Sequence, residues 1–506
     1  MMRKRLLSPS FSLGLTIVLA FGVCRFAFAQ GPYLSSILEG ETPSSLPQFF
    51  TIQDITGLIA SFQPAGGEAT TAGNAFFQNF GANGRTCFTC HQPENGWSIT
   101  PSTVQAIYTN TKGKAPLFAS VDGANCPNLG AAATQPGPQF IAARSQMFNH
   151  GNTRIPIAVP AVHDWASVTV TADPTGCERN PTYGLPAGLL SMYRRPLPTM
   201  NTAFLFPAGG GAGTNIMWDT REPSLQSQFM DATMTHAQAN SKQLRVLTAP
   251  VIAQGVNFQN GNFSAQSSDQ FAGDLTGADG SGALGGPDAL TNGSLPLLFT
   301  HAPKNGQPGQ ALTFDIFNTL NSGGQPWTAA QRASIQRGQT IFNTRTFEIT
   351  NVRGLNDVKG ANPSLGACST CHNTVDVGND FFLTPKDTGV MNNSSNVLPP
   401  TADYPVFSFL CPQGSIEFFS NPVTVSGVTY DEYQTTDPGL GWISGKCADL
   451  GKMKVPALRG IGARPPFFHG GNANTMFDLV DFYNKRFNIG LSAQDEQDLI
   501  NFLNAL

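Results

Sequence analysis

Charge is scarce in this chain: of 506 residues only 12% are charged, 29 Lys and Arg against 33 Asp and Glu. An acidic balance offers little to neutralise a phosphate backbone, so nucleic acid is excluded as a partner. Long apolar runs are scarcer still. The one present, Leu13 to Val23, is too short to span a bilayer. It follows Arg3, Lys4 and Arg5 and precedes Ala27-Phe28-Ala29 and Gln30, the layout of a cleavable signal peptide over residues 1–29. Its removal leaves 25 basic against 33 acidic side chains and predicts an exported, periplasmic protein with no membrane span. Cys24 opens a lipid-anchor reading, although Val23 is bulky where such signals want a small residue. The glycine run at 209–211 has no following Lys-Ser/Thr, so no phosphate-binding loop is present.

What the chain does have is cysteine in two telling places. Cys87-Phe-Thr-Cys90-His91 and Cys368-Ser-Thr-Cys371-His372 both match C-x-x-C-H. A bare C-x-x-C would also suit a redox pair or half a zinc site, and the adjacent histidine discriminates. The two thiols add to porphyrin vinyl groups and the histidine is held beneath the ring as an axial ligand. Two covalently bound c-type haems are therefore predicted, with His91 and His372 on their irons. Of the nine cysteines, Cys24 leaves with the signal and Cys126, Cys177, Cys411 and Cys447 remain as disulfide candidates. Pairing within each neighbourhood would join Cys126 to Cys177 and Cys411 to Cys447, a connectivity that spacing alone leaves open.

With 53 Gly and 37 Pro, the chain reads as ordered loops around small helical cores, a mainly α fold of two cytochrome-c-like haem domains with long loop insertions. Gly73, Phe76, Phe77 and Phe80 fall at helical spacing before the first motif. Thr328 with Gln331 forms a capping-box signature, and Ile335, Gly338, Ile341 and Phe342 continue one helix face before the second. Ser492 is placed to cap a closing helix whose Leu499, Phe502, Leu503 and Leu506 share a face. The expected division is a signal peptide at 1–29 and an N-terminal haem domain at 30–240, carrying a loop insertion at about 92–197. A Gly/Asn/Ser-rich interdomain segment at 241–326 and a C-terminal haem domain at 327–506 complete it.

Several further motifs, in order, carry a resemblance. They are Pro198-Thr199, Met217-Trp218-Asp219 with Arg221, Gly451 to Arg459 (GKMKVPALR) and Pro466-Phe467-Phe468-His469-Gly470. With the haem motifs they make the chain similar to the bacterial diheme cytochrome c peroxidase and MauG superfamily, over roughly 70–110, 194–240 and 328–506. The resemblance implies that the N-terminal haem meets peroxide or dioxygen while the C-terminal haem stores or relays electrons. Trp218 would then sit between them and assist electron transfer. The family's sixth ligand on the second haem, methionine or tyrosine, maps without a gap to Tyr483, in a helical series with Met476, Leu479, Val480 and Phe487. Met476 and Met453 are the thioether alternatives. His469 would stand near the haem or domain boundary.

Two departures from the family pattern bear on chemistry. The family's catalytic glutamate lies twenty residues after the bridging tryptophan, and here that ungapped count gives Gln238, an amide that cannot titrate. His236 or Asp231 would then have to move the proton. His150 and His163 occupy the interval in which some relatives carry a distal haem ligand, without the local glycine context, which favours an open distal side. The asparagine of the family's calcium site is replaced by Pro196, leaving backbone carbonyls at Arg464 and Pro466.

The implied function is peroxide or dioxygen activation with a small redox protein donor, a cytochrome c or cupredoxin, or an oxidisable substrate. A homodimer is allowed, as in some relatives. The alternatives are a non-catalytic diheme electron carrier and an oxygenase like the larger diheme rubber oxygenases.

Overall fold

The computed structural model describes residues 42–64, 69–178, 188–205, 216–291, 314–321, 323–374, 376–380, 382–392 and 402–506. The expected signal segment with Cys24, and the glycine run at 209–211, lie outside them. No helix among the described residues is long and apolar enough to cross a membrane.

The expectation of a mainly α protein is overturned. Helix makes up 33% and strand 19% of the structure, and the strands assemble into several sheets. Segments such as Gly57–Phe62 (GLIASF), Ser167–Ala172 (SVTVTA) and Val428–Thr435 (VTYDEYQT) supply β-branched and aromatic side chains that suit a pleated backbone. Each is short and set among Gly, Pro and Asn, which hides its period of two.

One antiparallel sheet packs Phe49–Gln53, Gly57–Phe62, Phe263–Asp269 and Gly273–Asp274 side by side. The stretch expected as an interdomain surface segment thus contributes a strand, Gly57 facing Asp269 and Phe62 facing Phe263, and the helix Ala249–Gly261 before it. The region at 92–197 is likewise built rather than looped. It holds helices Pro101–Thr111 and Ser145–His150 and the hairpin of Thr153–Ala158 with Leu189–Arg194. Its strand Ser167–Ala172 joins a second sheet whose other members come from the C-terminal half, pairing with Val406–Pro412 from Leu410↔Ser167 to Val406↔Ala172. Val428–Thr435 and Asn421–Val425 complete that sheet.

The helix expected over Gly73–Phe80 does not form. Asn74 accepts a hydrogen bond from the Phe76 amide at 3.0 Å, a local turn that outcompetes helix, and only the 3₁₀ turns Thr71–Gly73 and Ala75–Phe77 remain. Phe76 and Phe77 are still buried, so their spacing reported a core contact and not a helix. Before the second motif a helix does form over Pro326–Thr344, starting ahead of the predicted Thr328 cap because Pro326 suits its first turn. Gly338 lets it meet the closing helix Ala493–Asn504, for a Cβ at that position would overlap the Asp498 carbonyl. Ser492 caps the closing helix by accepting from Asp495 N at 3.1 Å, and Leu499, Phe502 and Leu503 bury its inner face. Cys411 and Cys447 are joined by a disulfide, while the thiols of Cys126 and Cys177 are buried against each other and share a hydrogen bond.

Candidate functional site: two cavities with a common wall

Each C-x-x-C-H motif forms the same small device. Cys87–Thr89 is a 3₁₀ turn, His91 N donates to Cys87 O at 3.1 Å, and His91 Nδ1–H donates to the Trp97 carbonyl at 3.0 Å. Cys368–Thr370 repeats the turn, His372 N donates to Cys368 O at 3.1 Å, and His372 Nδ1–H donates to the Gly378 carbonyl at 2.6 Å. Fixing Nδ1 as the donor leaves Nε2 as the lone-pair nitrogen, the state that a metal requires. Burial holds both imidazoles below their ordinary value, His91 at about 4, so both are neutral, as a metal-binding imidazole must be. Trp97 and Gly378 escaped the sequence reading because they act through backbone carbonyls, which carry no residue signature.

A cavity opens above each device. Cys87, Cys90 and His91 line the first, Cys368, Cys371 and His372 the second. The two share a wall formed by Arg195, Pro196, Pro198, Trp218 and Lys454, with Leu197, Pro456 and Ala457 between. Trp218 is fixed there by its Nε1–H to the Arg195 carbonyl at 2.8 Å and by Lys454 N donating to the Trp218 carbonyl at 2.9 Å. Its ring centroid is 5.8 Å from that of His469. Below it, Asp219 of the same motif pairs with Arg194 at 2.5 Å and Arg221 at 3.1 Å, and Arg194 reaches Asp437 at 2.6 Å. These buried charges compensate one another, so the loop carrying the indole has one arrangement.

The cations at and beside the common wall fit haem: Arg195 and Lys454 line both cavities, and Arg464 lines the second. Arg195, Lys454 and Arg464 are buried and none pairs with a carboxylate among the described residues. Arg464 Nη1 has no hydrogen-bond partner, and burial lowers Lys454 to about 7 and Arg464 to about 9. Unpaired buried cations are costly unless an anion arrives, and haem brings two propionates. Calcium fares less well. The Arg464 carbonyl accepts from Arg195 Nη2 at 3.4 Å, which puts a guanidinium where a second cation would have to sit.

Several predicted side chains fall differently from the sequence reading. Gln238 is exposed, with φ of 58°, and does not line the first cavity. The helix Leu225–Thr235 ends before it, so an ungapped count runs past the helix end and off the cavity face. The face that does line the cavity carries Leu225, Phe229, Thr233 and His236, a helical series that could have been read from the sequence. Asp231 is taken up by Arg221 at 3.4 Å. His150 and His163 do not line the cavity either. His150 bonds Gly471 O at 3.2 Å and Asp403 Oδ2 at 3.0 Å, and His163 is on the surface.

His236 has a partner that no spacing could reveal. Its Nδ1 is bonded to Asp122, which is also ion-paired with Arg85. Asp122 and Arg85 are both buried, and Arg85 donates further to the carbonyls of Pro116 at 2.9 Å and Leu117 at 2.6 Å. With Nδ1–H held by the carboxylate, Nε2 of His236 is left for the cavity. Burial and the neighbouring Arg85 and Arg221 hold the imidazole at about 4, Asp231 acting in the opposite direction.

In the second cavity, Tyr483 stands on the helix Met476–Phe487 among Phe468, Phe482 and Phe487, and its hydroxyl makes no hydrogen bond among the described residues. Burial pushes its phenol up. Met453 also lines this cavity, whereas Met476 is buried in the helical core outside it. His469 lines it too, with Nε2 3.8 Å from Asp437 and burial holding its ring at about 4.

No family model matches the chain. A cytochrome-c peroxidase, IdrP1, of Pseudomonas sp. (strain SCT) is 32% identical over 93 residues, 16% of this chain and 24% of that protein. A cytochrome-c peroxidase, IdrP2, of Denitromonas iodatirespirans is 28% identical over 148 residues, 28% of this chain and 36% of that protein. The matches thus span about a quarter to a third of the curated relatives. A solved MauG-like protein associated with microbial copper homeostasis aligns over 86% of this chain and 88% of its own, at 13% identity and a TM-score of 0.35. On these sequence matches, parts of the chain are similar to curated cytochrome-c peroxidases.

Proposed function

We propose that the protein is a periplasmic diheme c-type oxidoreductase that activates hydrogen peroxide or dioxygen at the N-terminal haem and exchanges electrons with the C-terminal haem. The supporting observation is asymmetry: two like cavities share Trp218, yet among the described residues the histidine of the first, His236, is hydrogen-bonded to a carboxylate, whereas His469 of the second lies 3.8 Å from Asp437, beyond a hydrogen bond. Haem iron, when bound, supplies the oxygen-binding and electron-transfer chemistry. His91 would hold the iron of the first haem and His372 that of the second. In the first cavity, Nε2 of His236 takes a proton from the oxygen substrate and returns it to the departing oxygen, while Asp122 keeps the ring oriented and in the right tautomer. Arg85 pairs with Asp122 and fixes the position of its carboxylate. Arg195 and Lys454 on the common wall, with Arg464 in the second cavity, would hold the propionates.

Tyr483 is assigned as the sixth ligand of the second haem, with Met453 as the thioether competitor. A phenolate oxygen lowers the reduction potential relative to a thioether and suits storage of oxidising equivalents. Electrons come from a small redox protein or an oxidisable substrate. Low-temperature electron paramagnetic resonance of the ferric holoprotein tests the reading. One high-spin and one low-spin signal, both lost on adding peroxide, are expected; two low-spin signals indifferent to peroxide would make the protein an electron carrier instead.

A further inference from the structure

The sheet that joins the two halves of the chain carries an ordered row of rings leading away from the second cavity. His163, on the surface, stacks on Trp165 with centroids 4.5 Å apart and planes 4° from parallel. Trp165 stacks on Trp442 at 5.7 Å and 3°. Phe409 sets its edge against both indoles, at 5.3 and 5.9 Å, and lies directly opposite Tyr433 on the neighbouring strand. Tyr433 reaches the second cavity. Its hydroxyl donates to Asp387 Oδ2 at 3.0 Å, and the Arg353 guanidinium lies 4.7 Å from its ring centroid.

An aromatic core would explain buried Trp165 and Trp442, but not all of this. Offset-parallel stacking is itself a favoured way for rings to pack, but core packing does not call for a row that continues unbroken to an exposed ring, as this one does at His163. The segment is also clamped: Asp164 N donates to Gly445 O at 2.9 Å and Cys447 N to Asp164 Oδ1 at 2.7 Å. The chain has five tryptophans. Trp218 lines both cavities, Trp97 is buried and holds His91 through its carbonyl, and Trp327 is exposed elsewhere, so both remaining indoles are in this row.

We propose that His163, Trp165, Trp442 and Tyr433 form an electron route between the surface and the second haem cavity, serving a one-electron donor that docks at His163 without entering the cavity. This rests on the haem occupancy proposed above. Tyr433 passes an electron toward the cavity while its phenolic proton moves to Asp387, and both return when Trp442 refills it. Trp442 donates its Nε1–H to the Ile157 carbonyl at 3.1 Å, a group that cannot take a proton, so this indole relays the electron alone. Trp165 refills Trp442, and the donor refills Trp165 across the His163 ring. One electron leaves the donor, one reaches the cavity, and no proton is lost. Two such transfers with two protons reduce one peroxide to two waters.

The test uses the holoprotein with its second haem reduced and a ruthenium bipyridyl photosensitiser coordinated to His163. A flash with an external electron acceptor generates Ru(III), which draws one electron from the haem, followed by its absorbance. Trp442→Phe keeps an aromatic ring in place and is expected to slow haem oxidation by about tenfold or more, with Trp442→Tyr, still oxidisable, restoring most of the rate. Haem oxidation in Trp442→Phe within about twofold of the parent would overturn the route. No peroxide enters this measurement. Failure of the parent to consume peroxide would therefore strike at the proposed function and leave the route standing.

Discussion

Replacing His236 by glutamine is the sharpest perturbation of the first cavity. Glutamine has a comparable reach and can still hydrogen-bond Asp122, yet it cannot carry a proton to and fro. Acid–base assistance is worth about 10²–10⁴ in rate, or about 2.7–5.5 kcal/mol at 1.36 kcal/mol per decade. His236→Gln should therefore lower kcat/KM for peroxide by about 10² or more in stopped-flow mixing with the holoprotein. Asp122→Asn should lose less, about tenfold or more, because the imidazole remains but its tautomer is no longer imposed. It also removes the carboxylate partner of buried Arg85, a change that costs about 3 kcal/mol when no other acceptor is present. The carbonyls of Pro116 and Leu117 temper that cost, and thermal unfolding measures it separately from the rate. Gln238→Glu is the control: its exposed side chain lies outside the cavity, so turnover should not change. The pH profile supplies the sign. Nε2 works as a base only when unprotonated, so the parent rate should be flat above about 4 and fall as pH drops through it. That acid limb should vanish in His236→Gln. If the glutamine variant keeps kcat/KM within about threefold of the parent, proton transfer in this cavity does not run through His236.

Trp218→Phe should leave both haem spectra in place while slowing oxidation of the second haem after peroxide meets the first; equal rates would remove the indole from the path. Tyr483→Phe should raise the reduction potential of the second haem in a spectroelectrochemical titration, and an unmoved midpoint would pass the ligand role to Met453 or to none. Gly338→Ala should destabilise the C-terminal helix pair by about 1–3 kcal/mol in denaturant unfolding, since the added methyl meets the Asp498 carbonyl and not a flexible side chain. His469 is held at about 4 in the fold. The unfolded chain takes up its proton first as pH falls, so this residue should withdraw about 3 kcal/mol of stability between pH 6.5 and 4. His469→Gln should flatten that part of the stability profile, and an unchanged slope would refute the assignment.

Legibility followed the range over which each signal acts. The turns at the two C-x-x-C-H motifs, the Ser492 cap and the face of Leu499, Phe502 and Leu503 are written within a few residues, and the structure contains all of them. Trp218 was legible through its motif. The sheets were not, because strands such as Ser167–Ala172 are short and find their partners more than two hundred positions away. Asp122 was hidden for the same reason: it meets His236 across 114 residues, within a region whose composition reads as loop. Gln238 misled because residue counting ignores where a helix stops, whereas the spacing of Phe229, Thr233 and His236 does not.

The strand exchange between halves has a consequence for biogenesis. Ser167–Ala172 can complete its sheet only after Val406–Pro412 has been synthesised, so the edge it presents stays unpaired through much of synthesis. A fragment ending near residue 240 would expose Val168 and Val170 along that open edge, an invitation to intermolecular pairing. Any chaperone that shields nascent β-structure would therefore meet a chain whose front half is not yet closed.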